Sequence, residues 1–238
     1  MVDLSGNLRL HDQFKVTTVH IGAEREPVLL VDNFLERPEL LIELAAEQSR
    51  FDGVSDAFYP GMRAPIPPIY CFALRAFLGD AMAEVFGLKN SFVSGELSHF
   101  SLVTTRPEKL AVVQRMPHFD NTNPKQFALL HYLCSVDQGG TSFYRHRQTG
   151  FEFIDEPRRP AYEKAVAQEL GDLGPPAAKY ICGDDRMFER THSFAAAFNR
   201  VLIYRSINLH SADIGPAFPF DPTPRRGRLT ANTFFFYR

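Results

Sequence analysis

The chain has no tryptophan, only three cysteines in 238 residues, no long apolar run and no large excess of charge of either sign. Each absence excludes something. Cys71, Cys134 and Cys182 are too few and too scattered for a disulfide framework or a cysteine-based zinc site, so the expected setting is the reducing cytoplasm. No apolar stretch approaches the roughly 20 residues that span a bilayer, and the polar start Met1 to Gln13 has no signal core. A net charge of −2 offers no electrostatic case for nucleic acid or an anionic membrane.

What is present leans towards strands. The hydrophobic fraction is 45%, enough for a sizeable core, and there are 22 phenylalanines and 17 prolines. Phenylalanine favours half-buried strands, and frequent proline punctuates short elements. Residues 28–35 read as a strand running into a turn, followed by a helix from Pro38 with Leu40, Leu41, Leu44 and Ala45 on one face. Residues 51–69 read as loop and about 70–86 as a second helix stopped by Gly87. From residue 92 the period changes. Gly95 to Thr105, Leu110 to Gln114, Phe127 to Val136 (apolar on both faces, hence central), Thr141 to Phe143, Phe151 to Ile154, 200–207 and 228–237 read as strands. Residues 155–195, with a short helix over Ala161 to Leu170, read as an insertion. The expectation is a single α+β, mainly β domain over 1–238, with a helical part at about 36–90 and a β core from about 92.

The chemistry centres on Pro117-His118-Phe119-Asp120. On an extended segment alternate side chains share a face, so the His118 imidazole and the Asp120 carboxylate point into one space. His210, just past the apolar run Arg200 to Tyr204, is placed to join them. Two histidines and a carboxylate form the facial triad of non-haem Fe(II) oxygenases, although the set does not by itself choose iron over zinc or manganese. A His-x-Asp alone is weak evidence in a chain with 8 histidines. Arg228, with Thr230 on the same strand face, supplies a fork that matches a carboxylate; the bland reading is an arginine at the barrel's edge. Tyr132 on the central strand is a candidate third contact or simply a core tyrosine. His131 faces away from Tyr132, and Cys134 shares its face.

Together these residues resemble a family. Pro117-His118-Phe119-Asp120 is similar to the metal motif of the prolyl-4-hydroxylase-like branch of the Fe(II)/2-oxoglutarate-dependent dioxygenases. Tyr132-Leu133 with Gly139-Gly140-Thr141-Ser142-Phe143, Leu209-His210-Ser211-Ala212, and Arg228-Leu229-Thr230 resemble its central strand and turn, its distal-histidine turn and its cosubstrate clamp. Val31-Asp32-Asn33-Phe34-Leu35 before a helix resembles its opening strand. The likeness runs in order through most of the chain and is nearest to bacterial families of that superfamily. Two features depart from the common pattern: a long gap from His210 to Arg228, and the 155–195 insertion. Either would suit a lid.

The resemblance implies a double-stranded β-helix, a cupin-like jelly roll with N-terminal helices packed against it. It implies Fe(II) held by His118, Asp120 and His210, and 2-oxoglutarate with its far carboxylate on Arg228, Thr230 and Tyr132. O2 is the oxidant, and a substrate C–H bond is hydroxylated. The substrate is expected to be a small molecule or a peptide side chain, with neither nucleic acid nor membrane as partner; the oligomeric state is open, a homodimer being allowed. The alternative is a non-catalytic β-barrel binding module that keeps the fold, with or without a metal.

Overall fold

The structure, a computed structural model, describes residues 4–47, 49–53 and 59–238. Its elements are β1 (Lys15–Ile21), β2 (Glu26–Asp32), α1 (Glu39–Glu47), β3 (Asp52–Gly53), β4 (Gly61–Pro65), α2 (Pro68–Phe86), β5 (Val93–Val103), β6 (Gln126–Tyr132), β7 (Gly140–His146), α3 (Arg159–Leu173), β8 (Phe188–Ala195), β9 (Arg200–Arg205), β10 (His210–Ala212) and β11 (Leu229–Tyr237). Eight strands form one antiparallel sheet in the order β1-β2-β9-β6-β11-β5-β4-β3, and β10-β7-β8 form a second. The fold is thus mainly β with three helices. Among the described residues no helix is long and apolar enough to cross a membrane.

Period-two alternation decides what each face of the large sheet does. Phe127, Leu129 and Leu133 from the β6 segment, Val201 and Ile203 from β9, Leu229, Ala231 and Phe235 from β11, and Phe100 and Leu102 from β5 point to the helices. There they meet Leu40, Leu41 and Leu44 of α1 and Tyr70, Leu74, Leu78, Met82 and Phe86 of α2. Each such side chain, fully buried, contributes about 1.5–3 kcal/mol of transfer free energy. α2 begins with Pro68 in its first turn and ends at Gly87 in the left-handed conformation (φ 73°), whose N–H donates to the Ala83 carbonyl. The intervening residues Ala128, Tyr132, Leu202 and Tyr204 point to the other face, where Phe143 and Phe194 of the small sheet cover them.

Several expectations need correction. Leu110 to Gln114 is not a strand: two 3₁₀ turns, Pro107–Lys109 and Val112–Arg115, replace it. The Gln114 side chain accepts the Ala111 N–H (2.9 Å), and the Arg115 guanidinium donates to the Leu110 and Pro176 carbonyls, so side chains satisfy this backbone and outweigh its β-propensity. Within 51–69, residues 54–58 lie outside the described ones, and Gly61–Pro65 is the strand β4 along β5. Phe151 to Ile154 makes only an isolated bridge, Phe153 to Asn208. The central strand ends at Tyr132, short of Val136. Gly140 opens β7 rather than closing β6. A Cβ on Gly139 (φ 91°) or Gly140 would run into the backbone of Asp213 or Phe194, so only glycine fits this crossing. The end of the 155–195 segment, Phe188–Ala195, is strand β8 of the small sheet, paired with β7.

Candidate metal centre and its cavity

His118 and His210 form an isolated antiparallel bridge in which each N–H donates to the other's carbonyl at 2.9 Å. Residues directly opposite in such a pair project to the same side, and the two imidazoles lie with ring centroids 4.3 Å apart. Asp120 follows two residues on, held by its N–H to the Ser206 carbonyl at 2.8 Å. Its Oδ1 is 3.7 Å from His118 Nε2 and its Oδ2 is 3.7 Å from His210 Nε2. The ligating atoms of all three lie within 4.8 Å of one another. Donors on one ion at right angles, each about 2.1 Å away, would be roughly 3 Å apart, so the side chains need to close by about an ångström.

Hydrogen bonding and burial set the character of the three groups. His210 Nδ1–H donates to the Asn208 carbonyl at 2.9 Å, which leaves the Nε2 lone pair facing the cluster. Burial, then the His210 charge and then that of Arg63 hold the His118 imidazole well below its ordinary pKa, although 37% of its side-chain surface stays open. Burial pushes the Asp120 carboxyl up, opposed by His210 and Arg63. Two imidazoles and one carboxyl group therefore face a common point, the donor set that a divalent cation takes.

The triad lines a cavity of about 340 Å³. Arg228 lines it from one end. It is 3% exposed, donates from Nη2 to the Gly140 carbonyl at 2.8 Å, and leaves Nε without a partner. The Thr230 hydroxyl, on the same strand face, is also buried and unpaired. Tyr132 is fully buried behind the cavity wall; its hydroxyl is 2.6 Å from the Thr141 hydroxyl, and Arg228 sits above its ring, 5.6 Å from the centroid. Thr141 lines the cavity in its place. Arg225 and Arg226 point elsewhere, to Glu47 (2.7 Å) and Asp221 (2.9 Å).

The two long connections meet beside the cavity. Tyr180, from the stretch after α3, and Phe218, between β10 and β11, join Val103, Leu110 and Ile214 in one cluster, with Tyr59 and Phe220 against it. The Tyr180 hydroxyl donates to the Thr105 carbonyl at 2.7 Å. Residues to which the sequence reading gave no role in the site also line the cavity: Thr141, Tyr204, Gln126, Asn232, Phe234 and Phe236. The last three had a signal. Counting by twos from Arg228 and Thr230 leads directly to Asn232, Phe234 and Phe236. Tyr204 stands edge-on to His210, its ring centroid 4.8 Å away. His131 lies on the helix side of the sheet, away from the cavity, between Tyr70 and Asn199.

Fold and site thus define a two-sheet β protein with a candidate two-histidine, one-carboxylate centre. The chain belongs to the family described as a family of unknown function (DUF6445), whose model matches residues 12–235. No curated protein matches it. Among solved structures it is similar to HygX from Streptomyces hygroscopicus with nickel and 2-oxoglutarate bound, at 11% identity and a TM-score of 0.48, over 88% of this chain and 82% of that one. It is also similar to SnoN, the non-heme alpha ketoglutarate dependent epimerase from nogalamycin biosynthesis, at 11% identity and a TM-score of 0.47, over 90% and 79%. Likenesses this distant assign no residue of this chain a role.

Proposed function

We propose that this protein is an Fe(II)- and 2-oxoglutarate-dependent oxygenase of the prolyl-4-hydroxylase-like branch, hydroxylating a small molecule or peptide side chain. One observation carries the reading: a single cavity is lined both by three donor groups lying within 4.8 Å of one another and by a buried arginine with an unpaired N–H. A buried donor left unpaired costs on the order of 1–3 kcal/mol, and an anion at that end would remove the cost. His118, Asp120 and His210 are the residues to hold the iron. Arg228 and Thr230 are those to receive the far carboxylate, with Thr141 beside them and Tyr132 fixing both Arg228 and Thr141 from behind.

Bound iron and 2-oxoglutarate supply the oxidising power, with O2 as oxidant and succinate and CO2 as co-products. The chain's own part is placement. The Asn208 carbonyl fixes the His210 tautomer and the Ser206 carbonyl fixes Asp120, while Tyr180 lines the same cavity as Arg228. Two of the three cysteines are buried and none is paired, in keeping with a reducing cytoplasm. The test is calorimetric titration of 2-oxoglutarate without O2. Binding that needs the metal, weakens in Arg228→Ala and vanishes in His118→Ala supports the proposal; binding indifferent to both substitutions defeats it.

A further inference from the structure

The far end of the cavity carries a second inference, which rests on the metal-centre reading just given. The small sheet has three strands against eight, and its core side chains Phe143 and Phe194 pack over the β1, β2, β6 and β9 side of the large sheet. Part of the β5–β11 side is left uncovered. There Leu97 keeps 48% of its surface exposed, and Phe234 and Phe236 are half-buried on the cavity wall.

The register defines the shape of this wall. Phe234 lies opposite Leu97 on β5 and Ala128 on β6, while Phe236 lies opposite Gly95 and Gln126. Small residues beside each phenylalanine leave room over the rings for a flat apolar group. Two carboxamides bracket the rings. Asn232, with its Oδ1 buried and unpaired, is at one side, and Gln126, itself buried, at the other. They are four residues apart along the ladder, about 14 Å of strand. Gln126 also adjoins the metal side: its carbonyl accepts the Ser206 N–H at 2.9 Å, and the Ser206 carbonyl accepts the Asp120 N–H at 2.8 Å.

Charge is confined to the other part of the cavity. The charged lining groups are the triad, Arg228 and Arg63, and Arg63 lies in the row Arg63–Ser101–Thr230–Tyr132 at the closed end. A charged group above Phe234 and Phe236 would give up hydration with no ion to replace it. We propose that this open end is the substrate subsite, and that the substrate is an uncharged molecule with a flat apolar body and hydrogen-bonding groups that meet the Asn232 and Gln126 carboxamides.

Ligand-observed NMR on the full chain, saturated with 2-oxoglutarate and loaded with Mn(II) or Zn(II), tests this with three probes. These are N-acetyl-phenylalaninamide, its free acid N-acetyl-phenylalanine, and the cationic phenylalaninamide. Expected are binding of the neutral probe at least about tenfold tighter than either charged one, and broadening of its ring signals by Mn(II) but not Zn(II). Phe234→Ala should weaken it by about tenfold. Leu97→Asp, at an exposed position and so safe for the fold, should shift the preference to the cationic probe. Equal or tighter binding of a charged probe, or no binding of the neutral one to metal-loaded protein, overturns the proposal. So does loss of 2-oxoglutarate affinity in Asn232→Ala, which would move that carboxamide to the cosubstrate. Mn(II) uptake, followed by its free-ion EPR signal, is the separate check: failure there strikes the metal centre rather than the subsite.

Discussion

At one end of the cavity Arg228 is 3% exposed, and Thr141 and Tyr180 line the same end. At the other, Leu97 is 48% exposed and the wall is phenylalanine broken by two carboxamides. Both ends are built from the same strand. β11 and the residue before it run Arg228, Thr230, Asn232, Phe234, Phe236 along one face, from cation to hydroxyl to amide to ring, and all but the fully buried Thr230 line the cavity. The closed, charged end suits a small dianion of constant shape, and the open, neutral end suits a variable ligand. What differs is what lies above the strand: two loops at one end, and past the limit of a three-stranded sheet at the other.

The largest break in this picture is expected from the middle. His118→Ala or His210→Ala should reduce metal affinity on the order of a hundredfold or more while leaving the fold intact, as judged by circular dichroism and metal titration. Next comes the closed end. Arg228→Ala should weaken 2-oxoglutarate by about 2–5 kcal/mol without changing metal uptake, and Arg228→Lys should recover only part, because it keeps the charge and loses the fork. The helix side of the same sheet provides a contrast remote from both ends. Burial lowers the pKa of His131 from 6.5 to about 4, and its network explains the neutral form: Tyr70 O–H donates to Nδ1 (3.0 Å) and Nε2–H donates to Asn199 Oδ1 (3.1 Å). Between pH 6.5 and 4 the unfolded chain holds the extra proton, so stability rises with pH across that window. It should be full above the upper limit and fall by on the order of 3 kcal/mol as pH drops through it, in denaturant melts at several pH values. His131→Leu should flatten that slope. The smallest effect is expected from Thr230→Val, which removes one hydroxyl beside Arg228 and should cost about 1 kcal/mol of 2-oxoglutarate affinity.

How much of this was legible in the sequence depends on which force decides each segment. Alternation is legible: Arg228 and Thr230 were placed on one face by counting, and the count extends to Phe236. His118 and Asp120 share a space as an extended segment requires, although the segment is held by a lone bridge to His210 and not by a strand. Helices α1 and α2 were legible from their apolar faces and from Pro38 and Gly87, although Pro68, which opens α2, was read as loop. Strands near the margins of the large sheet were not. β1 (Lys15–Ile21) is largely exposed and polar, and β4 contains Gly61, Arg63 and Pro65, so neither announces itself by hydrophobicity. Leu110 to Gln114 misleads in the opposite direction, because Gln114 and Arg115 satisfy its backbone from the side. The apolar cluster beside the cavity brings together Tyr180 and Phe218, distant in the chain, which no local pattern encodes.

The central claim is that the triad and Arg228 hold one metal and one keto acid in the same cavity. Anaerobic addition of Fe(II) and then 2-oxoglutarate tests it most directly, through the visible charge-transfer band of a keto acid chelated to iron. The band should appear in the unaltered protein, be absent in His118→Ala, and require far more 2-oxoglutarate in Arg228→Ala. No band in the unaltered protein, or a band that survives His118→Ala unchanged, would contradict the account.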